Sequence, residues 1–504
     1  MIDNLLLGFE VALSLKTLAY CFLGVSIGMF IGVLPGVGPL AAISMVLPVT
    51  YYVSPTDALV MLAGIYYGAQ YGGSVASILL RLPGTASSAV VCLDGYEMTR
   101  NGRAGAALFI SAAASFIGGS IGILLMSAFS PVLAEFALKF ASQEYFMLMA
   151  LGLVAASTLS EGSAVRGLSM VVLGILLGLV GLDRTSGTMR FTFGQFELAD
   201  GVSLVASAMG LFGLSEILAN IGRAERPDEI GRITLRSMLP SRQEWRDALP
   251  AIWRGSAIGS FFGTLPGTGS TIASFFSYAT EAKVSRNRER MGKGAIEGVA
   301  GPEAANNSAA QTAFIPTLTL GVPGDAVMAL LLGAMIVHGV TPGVQMLTKS
   351  PDMFWGLVVS FWIGNVLLLI FNIPMIGLWV SMLRIPYRWL YPAIVVLIVI
   401  GTYSVRYSVF DVFQLLAFGI LGYVLRILRF PTAPLVLGLV LGPLLEENFR
   451  RSLMLSEGSF ATFVTRPICG VLLAATVGLL VVQVVLSLAH RAQAKAQARD
   501  VMGA

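Results

Sequence analysis

The residues in this chain best placed to do chemistry are mostly uncharged. Four of the chain's five Pro-Gly pairs recur as two repeated sets in apolar text: Pro35-Gly36, Pro83-Gly84, Pro266-Gly267 and Pro323-Gly324. Proline removes a backbone donor and glycine lowers helix propensity, so a helix is hard to sustain there. A broken helix exposes N–H groups at one new end and C=O groups at the other. The N–H end carries about half a positive charge and attracts anions. The C=O end suits sodium, and glycine lets a ligand approach the backbone closely. One reading makes these pairs kinks or close-packing glycines, which membrane helices use freely. The other makes them parts of one site, built from Gly36, Gly38, Gly84, Gly267 and Gly269 with nearby hydroxyls. Those hydroxyls are Ser74, Thr85, Ser87, Thr268 and Ser270.

The densest polar text is Gly301-Pro302-Glu303-Ala304-Ala305-Asn306-Asn307-Ser308. Adjacent Asn residues in an apolar run either hydrogen-bond between helices or contact a ligand or cation. We take Asn306, Asn307 and Ser308 as candidate substrate contacts. Asp325 stands alone between uncharged runs, and an intramembrane carboxylate is a functional candidate by default. It would repel an anion. It therefore belongs to a cation site with Gly324 and Asn306, or it caps the helix that restarts after the break. Arg81 either attracts a carboxylate or snorkels to the interface. His338 reads as a packing or hydrogen-bonding residue. Glu161 and Glu216 read as interfacial, and Trp355, Trp362, Trp379 and Trp389 as interfacial or packing aromatics.

These residues need a scaffold, and the composition says which. The chain has 504 residues, 56% hydrophobic and 12% charged, with a mean hydropathy of +0.81. A soluble domain carries roughly 25% charged residues, so a soluble globular protein is excluded. Disorder is excluded as well, since it needs low hydrophobicity. The net charge of +4 gives no case for nucleic-acid binding. Two histidines and three scattered cysteines, Cys21, Cys92 and Cys469, offer no zinc spacing and no disulfide framework. No cofactor is implied beyond a coupling sodium ion or proton. The 40 residues between Lys16 and Asp57 carry no Asp, Glu, Lys or Arg, and similar runs follow Arg103 and Asp352. With about 20 apolar residues per crossing, roughly ten to twelve spanning or half-spanning segments are expected. The runs do not alternate, so a strand barrel is not expected. The N-terminus lacks a basic leader and reads as a retained segment.

Basic charge gathers in a linker with Arg223, Arg226, Arg232, Arg236, Arg242 and Arg246. It gathers again between Lys283 and Lys293, and in a tail with Arg491, Lys495 and Arg499. Short basic loops prefer the cytoplasm, so both loops and the C-terminus are placed there. The stretch from Ala248 to Ala282 must then leave and return, as a re-entrant hairpin or two tilted short helices.

The chain also repeats itself. Gly24 to Ala42 reads GVSIGMFIGVLPGVGPLAA and Gly255 to Ala273 reads GSAIGSFFGTLPGTGSTIA; ten of nineteen positions are identical at an offset of 231. A second Pro-Gly follows each copy, in LRLPGTASSA and LGVPGDAVMA. The expected fold is all-α and polytopic, with two inverted repeats of re-entrant hairpins and broken helices, as in elevator-like secondary transporters. The first repeat spans 1–221, a basic cytoplasmic linker 222–247, and the second repeat 248–464. A last transmembrane helix and basic tail occupy 465–504.

The ordered motifs GVLPGVGPLAA, YGGS, LPGTASS, GTLPGTG, GPEAANNSA and GVPGDAVMALLLGA resemble the large membrane subunit of the tripartite tricarboxylate transporter (TctA) family. The resemblance covers essentially the whole chain. It implies a multi-pass permease of the bacterial inner membrane, importing citrate or other di- and tricarboxylates by symport with sodium or protons. It implies two partners: a small four-span membrane subunit and a periplasmic solute-binding protein. It also assigns the LPGxG, PGT and PEAANN segments to the substrate or the ion. No GxxxxGK[ST] loop for ATP is present. A passive channel or membrane scaffold is the alternative. An intramembrane aspartyl-type enzyme is the weakest reading, since it needs a second Asp beside Asp325.

Overall fold

The computed structural model describes residues 2–34, 38–159, 164–183, 186–220, 235–265, 269–382 and 387–481. Pro35, Gly36, Pro266, Gly267 and Thr268 therefore lie outside the described residues. So do Glu161, Arg223, Arg226, Arg232 and the basic residues of the tail.

The chain is a succession of helices. The first half holds α1 (Ile2–Ala12), α2 (Leu15–Val33), α3 (Gly38–Thr50), α4 (Pro55–Leu80), α5 (Cys92–Arg100) and α6 (Ala104–Ala137). Then come α7 (Ser142–Leu159), α8 (Ala164–Gly178), α9 (Leu204–Ala208), α10 (Ser215–Asn220) and α11 (Leu235–Met238). The second hairpin and its followers are α12 (Arg242–Gly263), α13 (Gly269–Val284), α14 (Glu297–Thr312), α15 (Phe314–Leu320) and α16 (Ala326–Val337). The chain continues through α17 (Val344–Lys349), α18 (Pro351–Asn372), α19 (Ile376–Met382), α20 (Tyr387–Arg406), α21 (Val409–Ile427) and α22 (Ala433–Leu455). The strand content of the described residues is one ribbon pairing Gly181–Leu182 with Met189–Arg190.

Among the described residues four helices, α2, α6, α18 and α21, are long and apolar enough to cross a membrane, and six shorter apolar helices accompany them. The outer face of α21 shows why they need lipid. Val409, Phe413, Leu416, Ile420, Val424 and Ile427 are all exposed, at helical spacing. Water would not tolerate such a stripe on a free surface. This is an all-α polytopic membrane protein. The three cysteines are free and buried.

Contacts divide the chain into two compact units, which interleave along the sequence and do not follow the two halves read from the repeat. One is Met1–Ala137 with Ser203–Tyr423; the other is Leu138–Val202 with Val424–Ala504. In the second unit Gly174 and Gly178 of α8 let the backbone of α22 approach at Leu435 and Leu439. Phe146, Phe449 and Phe463 cluster there, and Arg466 Nε donates to Glu144 Oε1 at 2.5 Å.

The first unit holds every described candidate residue. Its core is two helix pairs made alike. On α2, Gly24, Gly28 and Gly32 face Met61, Ile65 and Ala69 of α4, so closely that any added Cβ would lie within 3.0 Å of backbone. On α12, Gly255, Gly259 and Gly263 face Gly301, Ala305 and Ala309 of α14 in the same way. Small residues four apart let membrane helices touch along their backbones. Both hairpins resume after their break on a left-handed glycine, Gly38 at φ +59° and Gly269 at φ +61°. Only glycine takes this conformation without strain.

The correspondence extends through the second break. Helix α4 ends on left-handed Arg81 (φ +58°), and α15 ends on left-handed Gly321 (φ +69°). Pro-Gly follows each, and then a side chain that accepts from the backbone N–H three residues on. Ser88 N donates to Thr85 Oγ1 at 3.3 Å, and Met328 N donates to Asp325 Oδ1 at 2.8 Å. The second copy differs in being cut at Ala313, between α14 and α15. Pro316 explains the cut, because it has no N–H to offer the carbonyl four residues back.

Candidate functional site

One face of α4 carries the site. Tyr66, Gln70 and Ser74 recur every four residues, so they stack along one side of the helix. All three are buried. Each reaches a residue of the second half. Tyr66 Oη donates to Asp325 Oδ2 at 3.1 Å, and Gln70 Nε2 donates to Ser270 Oγ at 3.3 Å. Ser74 Oγ lies 2.5 Å from Glu303 Oε1. Gln70 also accepts from Ser87 Oγ, 2.8 Å from its Oε1. The Gln70 amide thus ties the text after the first half's second break to the text after the second half's hairpin break.

The breaks pack onto one another. Gly84 is wedged between the Gly32 carbonyl, at the end of α2, and the Cα of Gly73 on α4. Its counterpart Gly324 sits near the Gly263 carbonyl at the end of α12 and against Ala313. Gly269, which restarts the second hairpin, abuts Asp325. Described flanks of all four breaks therefore belong to one neighbourhood, joined through Gln70, Ser270, Asp325 and Gly84.

The candidate residues fall into groups. Ser74, Thr85, Ser87, Ser270 and Asp325 join the α4 network; Thr85 Oγ1 lies 3.0 Å from Ser87 Oγ. Gly84 and Gly324 shape the breaks. Gly38 is half-exposed, with open space where a side chain would stand. Ser308 is turned elsewhere, with its Oγ 2.7 Å from Ser260 Oγ of α12. Asn307 Nδ2 donates to the Glu303 carbonyl at 3.1 Å, while its Oδ1 has no partner. Asn306 is 1% exposed, and neither atom of its amide has a hydrogen-bond partner. Buried polar groups are paired as a rule, so each exception needs an explanation. Position 306 follows 66 by the same 240 residues that separate Thr85 from Asp325. Tyr66 reaches the opposite half's cap, and α14 packs on the one-turn helix Ser87–Val91 of the opposite half.

Asp325 does cap the restarted helix. Arg81 is exposed, with its guanidinium 5.8 Å from the Tyr96 ring centroid. His338 Nε2 lies 3.2 Å from Thr50 Oγ1, a hydrogen-bonding role. Trp355 and Trp379 are buried packing residues.

Reading the sequence for a site passed over Tyr66, Gln70 and Glu303. The i, i+4, i+8 spacing of Tyr66, Gln70 and Ser74 was the available signal. Glu303 lay in plain view inside GPEAANNSA.

The electrostatics are unusual for an anion site. Its two carboxylates, Asp325 and Glu303, make no ion pair with Lys, Arg or His among the described residues. N–H and O–H dipoles are the attraction this neighbourhood could offer an anion, and either acid in its ionised form would oppose it.

No solved structure matches the chain. An uncharacterized 52.8 kDa protein in the TAR-I ttuC' 3' region of Agrobacterium vitis is 51% identical over 474 residues, 94% of each chain. A second Agrobacterium vitis protein, uncharacterized and in the TAR-II ttuC' 3' region, is 55% identical over 230 residues. That match covers 46% of this chain and 93% of the relative. The family model described as tripartite tricarboxylate transporter TctA family matches residues 18–437. With motifs, helices and relatives in accord, the chain belongs to the tripartite tricarboxylate transporter TctA family, as the large membrane subunit of a three-component transport system.

Proposed function

We propose that this chain is the permease through which a di- or tricarboxylate such as citrate crosses the bacterial inner membrane, driven by a cation gradient. A periplasmic solute-binding protein delivers the acid, and a small four-span subunit completes the membrane part. Backbone N–H groups at the breaks around Gly36, Gly38, Gly84, Gly267 and Gly269 receive the carboxylates. Hydroxyls of Ser74, Thr85, Ser87, Thr268, Ser270 and Ser308 and the amides of Asn306 and Asn307 add donors. Sodium or a proton at Asp325, Gly324 and Asn306 offsets the ligand's charge. The halves are inverted repeats, and the loaded bundle moves in an elevator-like manner, with the C-terminus in the cytoplasm.

The observation that carries this reading is the Gln70 amide, held by Ser87 on one side and holding Ser270 on the other. A ligand between these hydroxyls would touch both halves at once. The test is uptake of labelled citrate and a panel of di- and tricarboxylates by proteoliposomes holding the chain with its two partners. Wild type should accumulate one of these acids under a sodium or proton gradient. Gln70→Ala, which removes both bonds, should cut uptake about a hundredfold if charge-assisted contacts are lost with it. Unchanged kinetics for Gln70→Ala would remove the α4 network from the site.

A further inference from the structure

Glu303 is a buried carboxylate for which the binding scheme above has no use. Its residue is 0% exposed. The side chain meets only serine hydroxyls: Ser74 of α4, and Ser111 and Ser115 of α6. The other ionisable groups on the elements around α14 give Glu303 no positive partner among the described residues, and Tyr71 lies near enough to feel its charge. Tyr71 of α4 donates to Asn365 Oδ1 at 2.8 Å, and Tyr66 donates to Asp325. Tyr67 of α4 has its hydroxyl near Gln311, without a hydrogen bond, and brings no positive charge. Glu281 of α13 is held by Arg254 of α12, with N···O distances of 2.8 and 2.6 Å. Asp94 of α5 accepts from Tyr278 Oη and from the N–H groups of Gly292, Gly294 and Ala295. Glu297, at the start of α14, accepts from Ser285 and Asn287. Among the described residues no Lys, Arg or His pairs with Glu303.

The hydroxyl geometry then bears on the proton. Ser74 Oγ lies 2.5 Å from Glu303 Oε1 and 3.2 Å from the Gln70 carbonyl. A serine hydroxyl has a single hydrogen to give. If Glu303 is ionised, Ser74 must spend that hydrogen on it, and a full charge stays buried against hydroxyl dipoles alone. If Glu303 is protonated, the acid donates to Ser74 Oγ, and Ser74 donates onward to the Gln70 carbonyl. Ser115 Oγ donates to Oε2 at 2.9 Å in either case. The protonated arrangement uses every close contact and buries no charge.

We infer that Glu303 is the proton-carrying site of this permease: it is protonated in the conformation described here, and it exchanges that proton with water on opposite sides of the membrane as the carrier moves. Its O–H bond breaks toward water on the release side, leaving the carboxylate. On the loading side the carboxylate takes a proton from water and the bond re-forms. The site is separate from Asp325. Their partners on α4, Ser74 and Tyr66, are two turns apart, about 12 Å along the axis. The coupling role rests on the transport reading above; the protonation does not.

The test has two arms. Infrared difference spectra of the full chain in lipid at neutral pH, in H2O and D2O, should show a protonated carboxyl C=O band. The band should vanish in Glu303→Gln, persist in Asp325→Asn, and shift without loss in Ser74→Ala. If Glu303→Gln keeps the protonated band and loses an ionised carboxylate band, the inference is overturned. In the second arm, the chain with its two partners is given labelled citrate. Glu303→Gln should lose accumulation driven by a pH gradient by at least about tenfold more than it loses citrate exchange at equal pH. Wild-type accumulation in Glu303→Gln would overturn the coupling role. Failure of wild type to move citrate or any other carboxylate would count against the transport reading and end the coupling role with it. The infrared band would still decide the protonation.

Discussion

Asn306→Leu should make the protein more stable and its transport far worse. The two residues have nearly the same size, so packing is largely kept. The Asn306 amide has no hydrogen-bond partner at either atom, and an unsatisfied buried polar group costs about 1–3 kcal/mol. Removing it should therefore raise stability by about 1–2 kcal/mol, read as a higher unfolding temperature in detergent. A residue kept for helix association would behave in the opposite way, since its loss would destabilise the pair. If the amide is kept to meet a ligand, uptake should fall by about 1–3 kcal/mol of binding, roughly five- to 150-fold. Lower stability with normal uptake would show that Asn306 is structural.

Gly84→Val should prevent the first half from assembling. A Cβ at this position would stand 2.5 Å from Gly73 Cα and nearer still to the Gly32 carbonyl. Neither obstacle is a flexible side chain. The Gly32 and Gly73 backbones are held by the glycine stripe that joins α2 to α4, and yielding at one point would open the whole seam. Overpacking a core costs about 1–3 kcal/mol when side chains can move, and more here because backbone must. We expect little monodisperse protein on size exclusion and no measurable uptake. Gly38→Ala is the control. Nothing lies within 4 Å of its added carbon, so the cost is the left-handed conformation alone, about 1–2 kcal/mol. A Gly84→Val protein that folds and transports like wild type would mean the break is looser than described.

Much of this arrangement was legible before any coordinates. Uncharged runs gave the helices, and the Pro-Gly pairs gave the described interruptions, because both are local backbone chemistry. The pairing of Gly24–Ala42 with Gly255–Ala273 showed in the letters because the close helix contact demands glycine in both copies. The kinship of α4 with α14 and α15 did not show. The two stretches share Ala69 with Ala309, Leu80 with Leu320 and the Pro-Gly itself, and little more. What they share is backbone shape, and many side chains satisfy it. The Gln70 bridge was equally hidden, since one of its partners is 200 residues away. Nor could the compact unit formed by 138–202 and 424–504 be read from the repeat. It is made by helices outside the copied motifs.

In the proposed function, the interrupted segments of both halves enclose a single carboxylate. Cysteines placed at Ser87 and Ser270, in a chain whose native Cys21, Cys92 and Cys469 are replaced by alanine, put a label on each half. The decisive measurement is maleimide labelling of these two variants in the reconstituted complex, as the transported carboxylate is titrated in. Protection of both positions with the same half-saturating concentration is the predicted result. Protection of only one, or of the two at clearly different concentrations, would contradict it.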